Sequence, residues 1–444
     1  MRVVQVTTMT TDGVGAAVMR LHRGLLGCGV DSIVFVAGDP GDLAGARVRR
    51  YRPPQDAVAR IARQVRRAVF AASRLPYRRS RPAWVSIFSD DRSVHAGQVL
   101  AQLPQADVIH VHAMIGFLDY RCLLAAAARA PVVRTLHDMN FFTGGCHYDH
   151  GCGRFVTGCG ACPQLGSSRE NDLSRQVWLR KQALFARLPR ARLRLVAPSR
   201  WLATAARQAG VVSNFEITVI PHGLDADMFA PRDRRFCRQL LGLPGDARIV
   251  LFVAHPLARH EKGFALLADA LHRLGDVRDL MLVSAGGGPL PAAVPVPHLR
   301  LGRVQSERLL SAVYSAADLL VAPSIAETFS QVVLEAQACG TPVVAFAAGG
   351  IPEVVRDGVT GLVVPAGDIS ALADAIRHLL QADDLRVAMA KRARQVVLDE
   401  YTLEVQARRY VELYRAALAG RREVGAGVGG PAEVGAKPAA GVVS

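Results

Sequence analysis

The feature that most limits how this chain can fold is a short apolar run at its amino end that leads into a glycine-containing loop. Val3–Thr7 has the pattern of a buried strand, Thr10–Gly15 forms the loop, and a helical pattern follows that ends at Gly27. Asp31–Ala37 is the next strand. Strand, loop, helix and strand in this order are typical of a doubly wound parallel sheet. The chain is therefore predicted to open with a Rossmann-like α/β unit.

The same alternation recurs along the chain in two series. Half of the 444 residues are hydrophobic and only 6% are aromatic, which suits small-residue packing of helices on sheets. A chain of this length fits two domains of roughly 200 residues each. Further predicted strands of the first series lie at 106–112, 131–137 and 192–197. The second series begins after residues 217–223, with predicted strands at 248–254, 280–285, 318–322, 342–346 and 361–365. The expected fold class is α/β, with two doubly wound Rossmann-like domains that face each other across a cleft.

The domain limits follow from this pattern. We expect an N-terminal acceptor-side domain over residues 1–222 and a C-terminal donor-binding domain over residues 223–400. A helix over 401–418 is expected to return to the first domain. Residues 419–444 are mostly Gly, Ala, Val and Pro, which predicts a disordered tail.

The sequence predicts a cytoplasmic protein. Met1–Val6 matches a strand and lacks the longer apolar run of a signal peptide, and no stretch of ~18 uncharged apolar residues occurs. Reducing conditions in that compartment argue against structural disulfides among the eight cysteines.

The formal charge of +16 is concentrated in the arginine-rich segment, residues 47–81, which has twelve arginines and one acid, Asp56. One interpretation is a solvated helix face, and another is a patch that contacts anionic lipid. Nucleic acid ranks below lipid because Tyr51, Phe70, Tyr77 and Trp84 are too scattered for base stacking. We therefore expect no nucleic-acid partner, and an anionic membrane surface as a partner at the inner face of the plasma membrane.

The most informative stretch is residues 323–344, in which a strand ends, a loop carries Glu327, and a helix begins near Ser330. The amino end of that helix offers free N–H groups and a positive dipole, which suit a diphosphate. Glu335 lies more than one turn inside the helix, among apolar residues. A carboxylate in such surroundings is costly without a partner, which favours a binding role over a chance position.

This stretch resembles the retaining family 4 glycosyltransferases of the GT-B fold. Glu327 and Glu335 match the E-x7-E motif of that family, and residues 338–345, 349–355 and 357–365 match the segments that follow. The resemblance extends over about residues 1–418. Residues 135–148 are most similar to the exopolysaccharide branch typified by colanic acid biosynthesis enzymes.

The resemblance implies a role for each motif residue. Glu335 would bind the nucleotide ribose and Glu327 the transferred sugar. The backbone N–H groups around Ser330, Gln331 and Val332 would hold the diphosphate.

A lysine and an arginine are expected to assist at the phosphates. Lys262 opens a helix beside a strand end, where its ammonium can lie against phosphate charge. The family carries this lysine, usually with an arginine close before it, but in this branch the expected arginine position holds Glu261. Arg259 is the predicted substitute.

In the N-terminal half, Gly13 and Gly15 lie between a strand and a helix, where glycine lets the backbone approach a ligand. His137 lies at a predicted strand end that faces the cleft. The family has a histidine there that contacts the transferred sugar, so His137 is predicted to act with Glu327 in catalysis. His110 and His112 are secondary candidates.

The segment of residues 144–165, which we call the Cys loop, contains four cysteines with the spacing C-x5-C-x6-C-x2-C. They are Cys146, Cys152, Cys159 and Cys162. Its many glycines predict that it needs a ligand to become ordered. A structural zinc is the first hypothesis, and disulfides, an iron–sulfur site and ordinary thiols stay open. His147 and His150 are alternative ligands.

The predicted reaction is transfer of a sugar from a nucleotide-diphosphate donor to a hydroxyl of a glycan or lipid-linked glycan, in exopolysaccharide or cell-surface polysaccharide synthesis. No cofactor is expected for catalysis. Asp225 and Asp227 spell D-x-D, but the family does not bind metal at that position. A GT-B-fold epimerase and a non-catalytic nucleotide-sugar-binding protein are the alternatives.

Overall fold

The computed structural model describes the backbone of residues 1–40, 47–85 and 87–426, and their side chains except those of Asp12 and 420–426. Within this part of the chain there are two parallel sheets, one in each half of the sequence. The predicted architecture of two doubly wound α/β domains is confirmed.

The first sheet has the strand order β3-β2-β1-β4-β5-β6-β7. The strands are β1 (Arg2–Thr7), β2 (Asp31–Val36), β3 (Val48–Arg50), β4 (Val108–Val111), β5 (Val132–Thr135), β6 (Leu193–Ala197) and β7 (Ile217–Val219). The helices of this half are α1 (Asp12–Gly27), α2 (Ala57–Arg74), α3 (Gln98–Ala101), α4 (Cys122–Arg129), α5 (Leu173–Phe185) and α6 (Arg200–Gln208).

The second sheet has the order β10-β9-β8-β11-β12-β13. The strands are β8 (Arg248–Val253), β9 (Leu280–Ala285), β10 (His298–Arg300), β11 (Leu319–Ala322), β12 (Val343–Phe346) and β13 (Gly361–Val364). The helices are α7 (Arg234–Leu240), α8 (Phe264–His272), α9 (Glu307–Ala316), α10 (Gln331–Ala338), α11 (Ile351–Val354), α12 (Ile369–Gln381), α13 (Asp383–Glu400) and α14 (Leu403–Ala426).

The inner strands of both sheets are buried on both faces, which explains why they are rich in Val, Leu and Ile. The strand order reverses between β1 and β4 in the first sheet and between β8 and β11 in the second. Crevices for ligands form outside the carboxyl ends of strands at such points. The predicted site residues follow these strands or their neighbours.

The chain crosses between the domains twice, and the two crossings lie side by side. The N–H of Leu224 donates to the carbonyl of Tyr401 at 2.9 Å, and the N–H of Leu403 donates to the carbonyl of Leu224 at 3.0 Å. A Cβ on Gly223 would lie 2.7 Å from the carbonyl oxygen of Thr402, so the close approach requires glycine.

The last helix, α14, packs against α1 and against the first sheet through Tyr410 and Tyr414. It continues to Ala426, beyond the helix end predicted at residue 418. Residues 427–444 of the predicted tail lie outside the described residues.

In the described residues, no helix is both long enough and apolar enough to cross a bilayer.

Candidate functional site

The loop between β11 and α10 is held in an unusual conformation. Ser330, the residue before α10, has φ +72°, in the left-handed region that is uncommon for residues other than glycine. A Cβ on Gly349 would lie 1.8 Å from the carbonyl oxygen of Glu327, and one on Gly350 would lie 2.2 Å from that of Thr328. Because these two positions lack side chains, the segment that contains Gly349 and Gly350 can pack closely against the loop that precedes α10. The first N–H groups of an α-helix have no hydrogen-bond acceptor within the helix, and in α10 these include the N–H groups of Gln331 and Val332.

Glu335 is buried and ionically paired across the domain cleft. Its Oε1 accepts a hydrogen bond from Arg20 Nη2 at 2.7 Å, and its Oε2 accepts one from Tyr314 Oη at 2.8 Å. Arg20 belongs to α1 of the first domain and is 2% exposed. It also donates to Glu307 and Gln331 of the second domain. Burial by itself lowers the pKa of Arg20. The negative charges of Glu335 and Glu307 outweigh this effect, so the pKa of Arg20 is raised.

Arg20 is a site residue that the sequence reasoning missed. The helix pattern was recognised, but no role was assigned to this arginine. The available signal was a single cation amid the inward-facing Ala17, Val18 and Leu21 of α1, which are all buried. A buried cation needs a carboxylate partner, and Glu335 is a carboxylate whose predicted apolar surroundings likewise required a partner.

Glu327 is paired with the predicted lysine. Its Oε2 accepts a hydrogen bond from Lys262 Nζ, and its Oε1 accepts one from the N–H of Thr328 at 3.2 Å. Lys262 ends a short 3₁₀ turn over His260–Lys262 and keeps 23% of its side chain exposed. The structure thus brings Lys262, Glu327 and the amino end of α10 together.

Arg259, which was predicted to assist at the phosphates, is paired with a carboxylate in the structure. Its Nε lies 3.3 Å from Oε2 of Glu261, which is buried. The carbonyl of Glu261 accepts a hydrogen bond from Ile325 on the loop that leads to Glu327. The glutamate that departs from the family pattern therefore pairs with the arginine that was expected to replace it.

Three histidines form a row at the cleft, with His112 and His222 buried and His137 half-buried. His137 Nε2 lies 3.1 Å from His112 Nδ1, and the ring of His137 stacks on His222 with 5.4 Å between centroids and 10° between planes. Burial, and then the neighbouring His222, His112 and Arg134, hold the pKa of His137 well below its usual value. Burial lowers the pKa of His222 to about 4. These imidazoles are neutral at pH 7.

His137 also contacts the donor-side loop directly. Its carbonyl oxygen accepts a hydrogen bond from Thr328 Oγ1 at 3.0 Å. His110, in contrast, is enclosed in the first domain, with Thr135 Oγ1 at 2.8 Å and Tyr414 Oη at 2.6 Å from its ring nitrogens. His110 therefore supports the sheet and α14 rather than the cleft.

The glycine loop of the first domain meets α10 from across the cleft. Gln331 Nε2 donates a hydrogen bond to the carbonyl of Gly13 at 2.5 Å. A Cβ on Gly13 would meet nothing within 4 Å, whereas one on Gly15 would lie 2.4 Å from the carbonyl carbon of Thr10. Gly15 is thus required by the turn, and Gly13 leaves open space beside α10.

The Cys loop surrounds one small cavity, of about 20 Å³, lined by all four of its cysteines together with Phe88 and Phe155. The thiols are free. The N–H of Gly144 donates to Cys159 Sγ at 3.1 Å. Burial raises the pKa of Cys159 to about 11 and also raises the pKa values of Cys146 and Cys162.

Across the described residues, no three or more His, Cys, Asp or Glu side chains are arranged so that they could hold a metal ion. His147 binds Ser89 and Asp138 through its two ring nitrogens, at 2.9 and 2.7 Å, so it is turned away from the four thiols. His150 packs on Trp84. The D-x-D aspartate Asp225 accepts hydrogen bonds from the N–H groups of Asp227 and Met228 and so closes a turn.

Comparisons with known proteins agree with this geometry. A family described as Glycosyltransferase Family 4 matches residues 11–228, and one described as Glycosyl transferases group 1 matches residues 247–382. D-inositol 3-phosphate glycosyltransferase of Mycobacterium tuberculosis (strain H37Rv) is 42% identical over 179 residues, which are 37% of this chain and 36% of that protein. The chain thus matches about a third of the length of these curated relatives.

Solved structures resemble almost the whole chain. Sucrose-phosphate synthase from Thermosynechococcus elongatus has a TM-score of 0.64 at 20% identity and covers 94% of this chain and 99% of its own. Anabaena HepE, solved with UDP and glucose, has a TM-score of 0.63 at 19% identity and covers 93% of this chain and 99% of its own. At these identities the likeness shows the fold. With the family matches in both domains, it identifies the chain as a glycosyltransferase of the family 4, group 1 type with the GT-B fold.

Proposed function

We propose that the protein transfers a sugar from a nucleoside diphosphate sugar to a hydroxyl of a glycan or lipid-linked glycan, with retention of the anomeric configuration. The observation that carries this proposal is the amino end of α10. Two buried carboxylates, Glu327 and Glu335, flank it, and each is paired with a cation from another element, Lys262 and Arg20. A helix amino end between two such pairs suits a ligand with both phosphates and sugar hydroxyls.

In this proposal, donor binding exchanges ion-pair partners. The diphosphate lies against the N–H groups of Ser330, Gln331 and Val332 and attracts Lys262 away from Glu327. Glu327 is then free to accept hydrogen bonds from the transferred sugar. Arg259 would have to leave Glu261 to reach a phosphate, so Lys262 is the principal cation.

Glu335 receives the ribose while it keeps its structural partners. A carboxylate has about four lone-pair positions, and Arg20 and Tyr314 occupy two of them. The remaining positions can accept the two ribose hydroxyls. Arg20 therefore positions Glu335.

The residues at hand can support the chemistry without a metal. As the anomeric C–O bond breaks, the departing diphosphate gains negative charge, which Lys262 and the α10 dipole stabilise. The sugar becomes oxocarbenium-like and is attacked by the acceptor hydroxyl, whose proton passes to the departing phosphate. His137, neutral and adjacent to the Glu327 loop through Thr328, binds a sugar hydroxyl.

We propose that the acceptor is a substrate of exopolysaccharide or cell-surface polysaccharide synthesis. Support comes from the resemblance of residues 135–148 to that branch. A phosphorylated cyclitol is the second acceptor class to test, because the curated relatives are D-inositol 3-phosphate glycosyltransferases. The names of these relatives favour transfer over the epimerase alternative.

The test is an assay of purified protein with UDP- and GDP-sugars, with polyprenyl-linked and free oligosaccharides and inositol phosphates as acceptors, in EDTA. We expect a glycosylated product whose anomeric configuration, read by NMR, is that of the donor. Lys262→Ala should lower kcat by about 10²–10³-fold. The matched control Lys391→Ala, at an exposed position of α13, should leave kcat unchanged. An inverted product, an absolute need for added Mg²⁺, or conversion of the donor sugar alone would contradict the proposal.

A further inference from the structure

An aromatic cluster joins the two domains beside Lys262. The ring of Trp84 lies 5.0 Å from that of His150 in the Cys loop and 5.9 Å from that of His260 in the second domain. His260 begins the short turn that ends at Lys262. Trp84 nevertheless keeps 37% of its surface exposed. The indole therefore presents a free area next to the segment that carries Lys262.

The segment that carries Trp84 is attached to the Cys loop on both sides of this residue. Before Trp84, the hydroxyl of Ser80 donates to the carbonyl of Leu165 at 2.8 Å. After it, the N–H of Ser89 donates to the carbonyl of Gly145 at 2.8 Å. An aromatic side chain on an anchored segment loses little conformational entropy when it binds a ligand. The indole is therefore prepared for binding.

His150 lies in a turn whose backbone is uncommon for its residue type. The N–H of Cys152 donates to the carbonyl of Asp149 at 3.0 Å, and the two central residues, His150 and Gly151, have φ of +50° and +78°. Such turns favour glycine, asparagine and aspartate. An unfavourable backbone conformation points to a function of the side chain that is kept there. The imidazole, which is exposed and contacts Trp84, therefore has a use at this surface.

Tyr148 extends the cluster toward Glu327. Its ring lies 6.3 Å from that of His150, and its carbonyl accepts a hydrogen bond from Gln164 Nε2 at 2.6 Å. Burial raises the pKa of Tyr148 well above its usual value, and the negative charge of Glu327 acts in the same direction. The phenol is therefore protonated at pH 7 and can donate a hydrogen bond. We call Trp84, Tyr148 and His150 the aromatic platform.

The chemistry of the aromatic platform suits an uncharged pyranose ring. One face of a pyranose presents C–H groups that pack on an aromatic ring, and its hydroxyls need hydrogen-bond partners at the edge. The indole of Trp84 offers the first and the hydroxyl of Tyr148 the second. Arg259, whose charge also acts on Tyr148, is already paired with Glu261. An anionic acceptor therefore gains less at the platform than an uncharged sugar does.

A nucleobase would also stack on an indole, but the proposed donor position leads its base elsewhere. The ribose is assigned to Glu335 and the transferred sugar to Glu327. The aromatic platform adjoins Glu327 and Lys262, so it borders the sugar end of the donor. The base lies beyond the ribose, on the side of the donor away from the platform.

We propose that the aromatic platform binds the acceptor as an uncharged pyranose, with Trp84 against the C–H face of the ring and Tyr148 hydrogen-bonded to a hydroxyl. This inference rests on the proposed glycosyl transfer, and it names the acceptor as a glycan rather than a phosphorylated cyclitol. Trp84 is then a specificity-determining residue, because its ring positions the acceptor hydroxyl beside the sugar at Glu327.

The experiment is saturation-transfer NMR of the full chain with UDP or GDP and with disaccharides of glucose, galactose, mannose and rhamnose. D-inositol 3-phosphate represents the competing class. We expect at least one disaccharide to receive saturation mainly at the C–H protons of one ring. Its Kd should rise at least about tenfold in Trp84→Ala and stay within about threefold in Trp84→Phe, which keeps an aromatic face. The matched control Phe236→Ala, at a position of α7 that is 62% exposed, should bind as the unchanged protein does.

Transfer kinetics provide a second measurement. Trp84→Ala should raise the KM for the acceptor and leave the KM for the donor unchanged. Tyr148→Phe, which removes only a hydroxyl, should raise the acceptor KM about threefold or more. Thermal denaturation checks that these variants fold.

The proposal is overturned if no disaccharide binds, if D-inositol 3-phosphate binds in their place, or if Trp84→Ala and Phe236→Ala bind alike. Weaker binding of UDP or GDP by Trp84→Ala would assign the ring to the nucleobase and also overturn it. Disaccharide binding that needs Trp84, without any sugar transfer, would uphold the aromatic platform and contradict the proposed reaction.

Discussion

Arg20 and Glu335 link the two domains through a buried ion pair, with 2.7 Å between Nη2 and Oε1. Removing one member of such a pair typically costs about 3–5 kcal/mol, because the other charge is left buried. Arg20 keeps Glu307 as a second partner, so the cost of changing Glu335 should lie toward the lower end. Glu335 therefore has two roles, as a proposed ribose ligand and as a contact between domains.

The first prediction separates the two glutamates of the E-x7-E motif by kinetics. Glu335→Gln should raise the KM for the donor about 10- to 100-fold, since a hydrogen bond to a charged group contributes about 1.5–3 kcal/mol. Glu327→Gln should mainly lower kcat, because its proposed partner is the sugar that reacts.

Steady-state kinetics with the active donor measure both effects. Glu404→Gln, at an exposed position of α14 that pairs with Arg408, serves as the control and should change neither constant. Unchanged KM and kcat in both motif variants would refute the assignment of the site.

The second prediction concerns acid stability. Burial lowers the pKa of His222 to about 4, and unfolded histidine titrates near 6.5. Between these values the unfolded chain binds the additional proton, so the stabilisation is complete above pH 6.5 and is lost as the pH falls toward 4. The free energy of unfolding should decrease by up to about 3 kcal/mol from this residue alone.

Urea denaturation at pH 5 and pH 7 measures this. His110, His112 and His137, whose pKa values burial also lowers, act in the same direction. The free energy of unfolding of His222→Gln should therefore still decrease from pH 7 to pH 5, but by less than that of the unchanged protein. Equal losses in the variant and the unchanged protein would rule out the contribution of His222.

Among single residues, the sequence alone could point to those that belong to short motifs. Glu327, Glu335 and Lys262 belong to motifs, and the fold brings Glu327 and Lys262 together. Arg20 could not be found in this way, because its partners are more than 280 residues away and depend on how the domains face each other. The pairing of Arg259 with Glu261 was missed because the family pattern predicts a different residue at 261.

Among the structural elements, the Cys loop packs on a small apolar cluster through Cys146, Cys162 and Leu165. Its four thiols line one cavity of about 20 Å³, and backbone N–H groups of Leu165 and Gln164 favour the thiolate of Cys162. Burial outweighs these donors, so the thiols of Cys146, Cys159 and Cys162 are protonated as placed. A Zn²⁺ ion would reverse this balance by binding thiolates directly.

The third prediction is that the protein, purified without a histidine tag, contains about one structural zinc per chain. The four sulfurs would have to draw together around the cavity to reach the Zn–S distance of about 2.3 Å. Metal removal should therefore lower the Tm of the first domain and leave nucleotide binding in the second domain largely intact.

Elemental analysis and thermal denaturation test this. Cys159→Ser should lose the metal, whereas Cys28→Ser, outside the loop, should keep it. Less than about 0.2 zinc or iron per chain, with four freely titratable thiols, would show that the loop is ordered without a metal.

Elements buried on both faces were predicted well, because continuous apolar runs define them. The edge strands β3 and β10 were missed, since each has only three residues and carries arginines. The end of α14 was placed too early because a local composition of Gly and Ala outweighed the anchoring that packing on α1 supplies.

At the scale of the whole molecule, several contacts close the cleft. Arg20 binds Glu335, Thr328 binds the carbonyl of His137, and the carboxylate of Glu353 accepts hydrogen bonds from Arg200 and Trp201 at the amino end of α6, both at 2.8 Å. The paired crossings near Leu224 and Tyr401 join the domains on one side. A donor must enter between surfaces that already contact each other, so binding should stabilise the joined state of both domains.

The central claim is that a nucleoside diphosphate sugar binds at the amino end of α10. The most direct measurement is calorimetric titration of UDP, GDP and their glucose and mannose conjugates into the unchanged protein, Lys262→Ala and Lys391→Ala, with EDTA present. We expect one site per chain for at least one nucleotide, with an affinity that is unchanged in Lys391→Ala and weakened by at least about tenfold in Lys262→Ala. Absence of binding by every nucleotide, or equal affinity in both lysine variants, would contradict it.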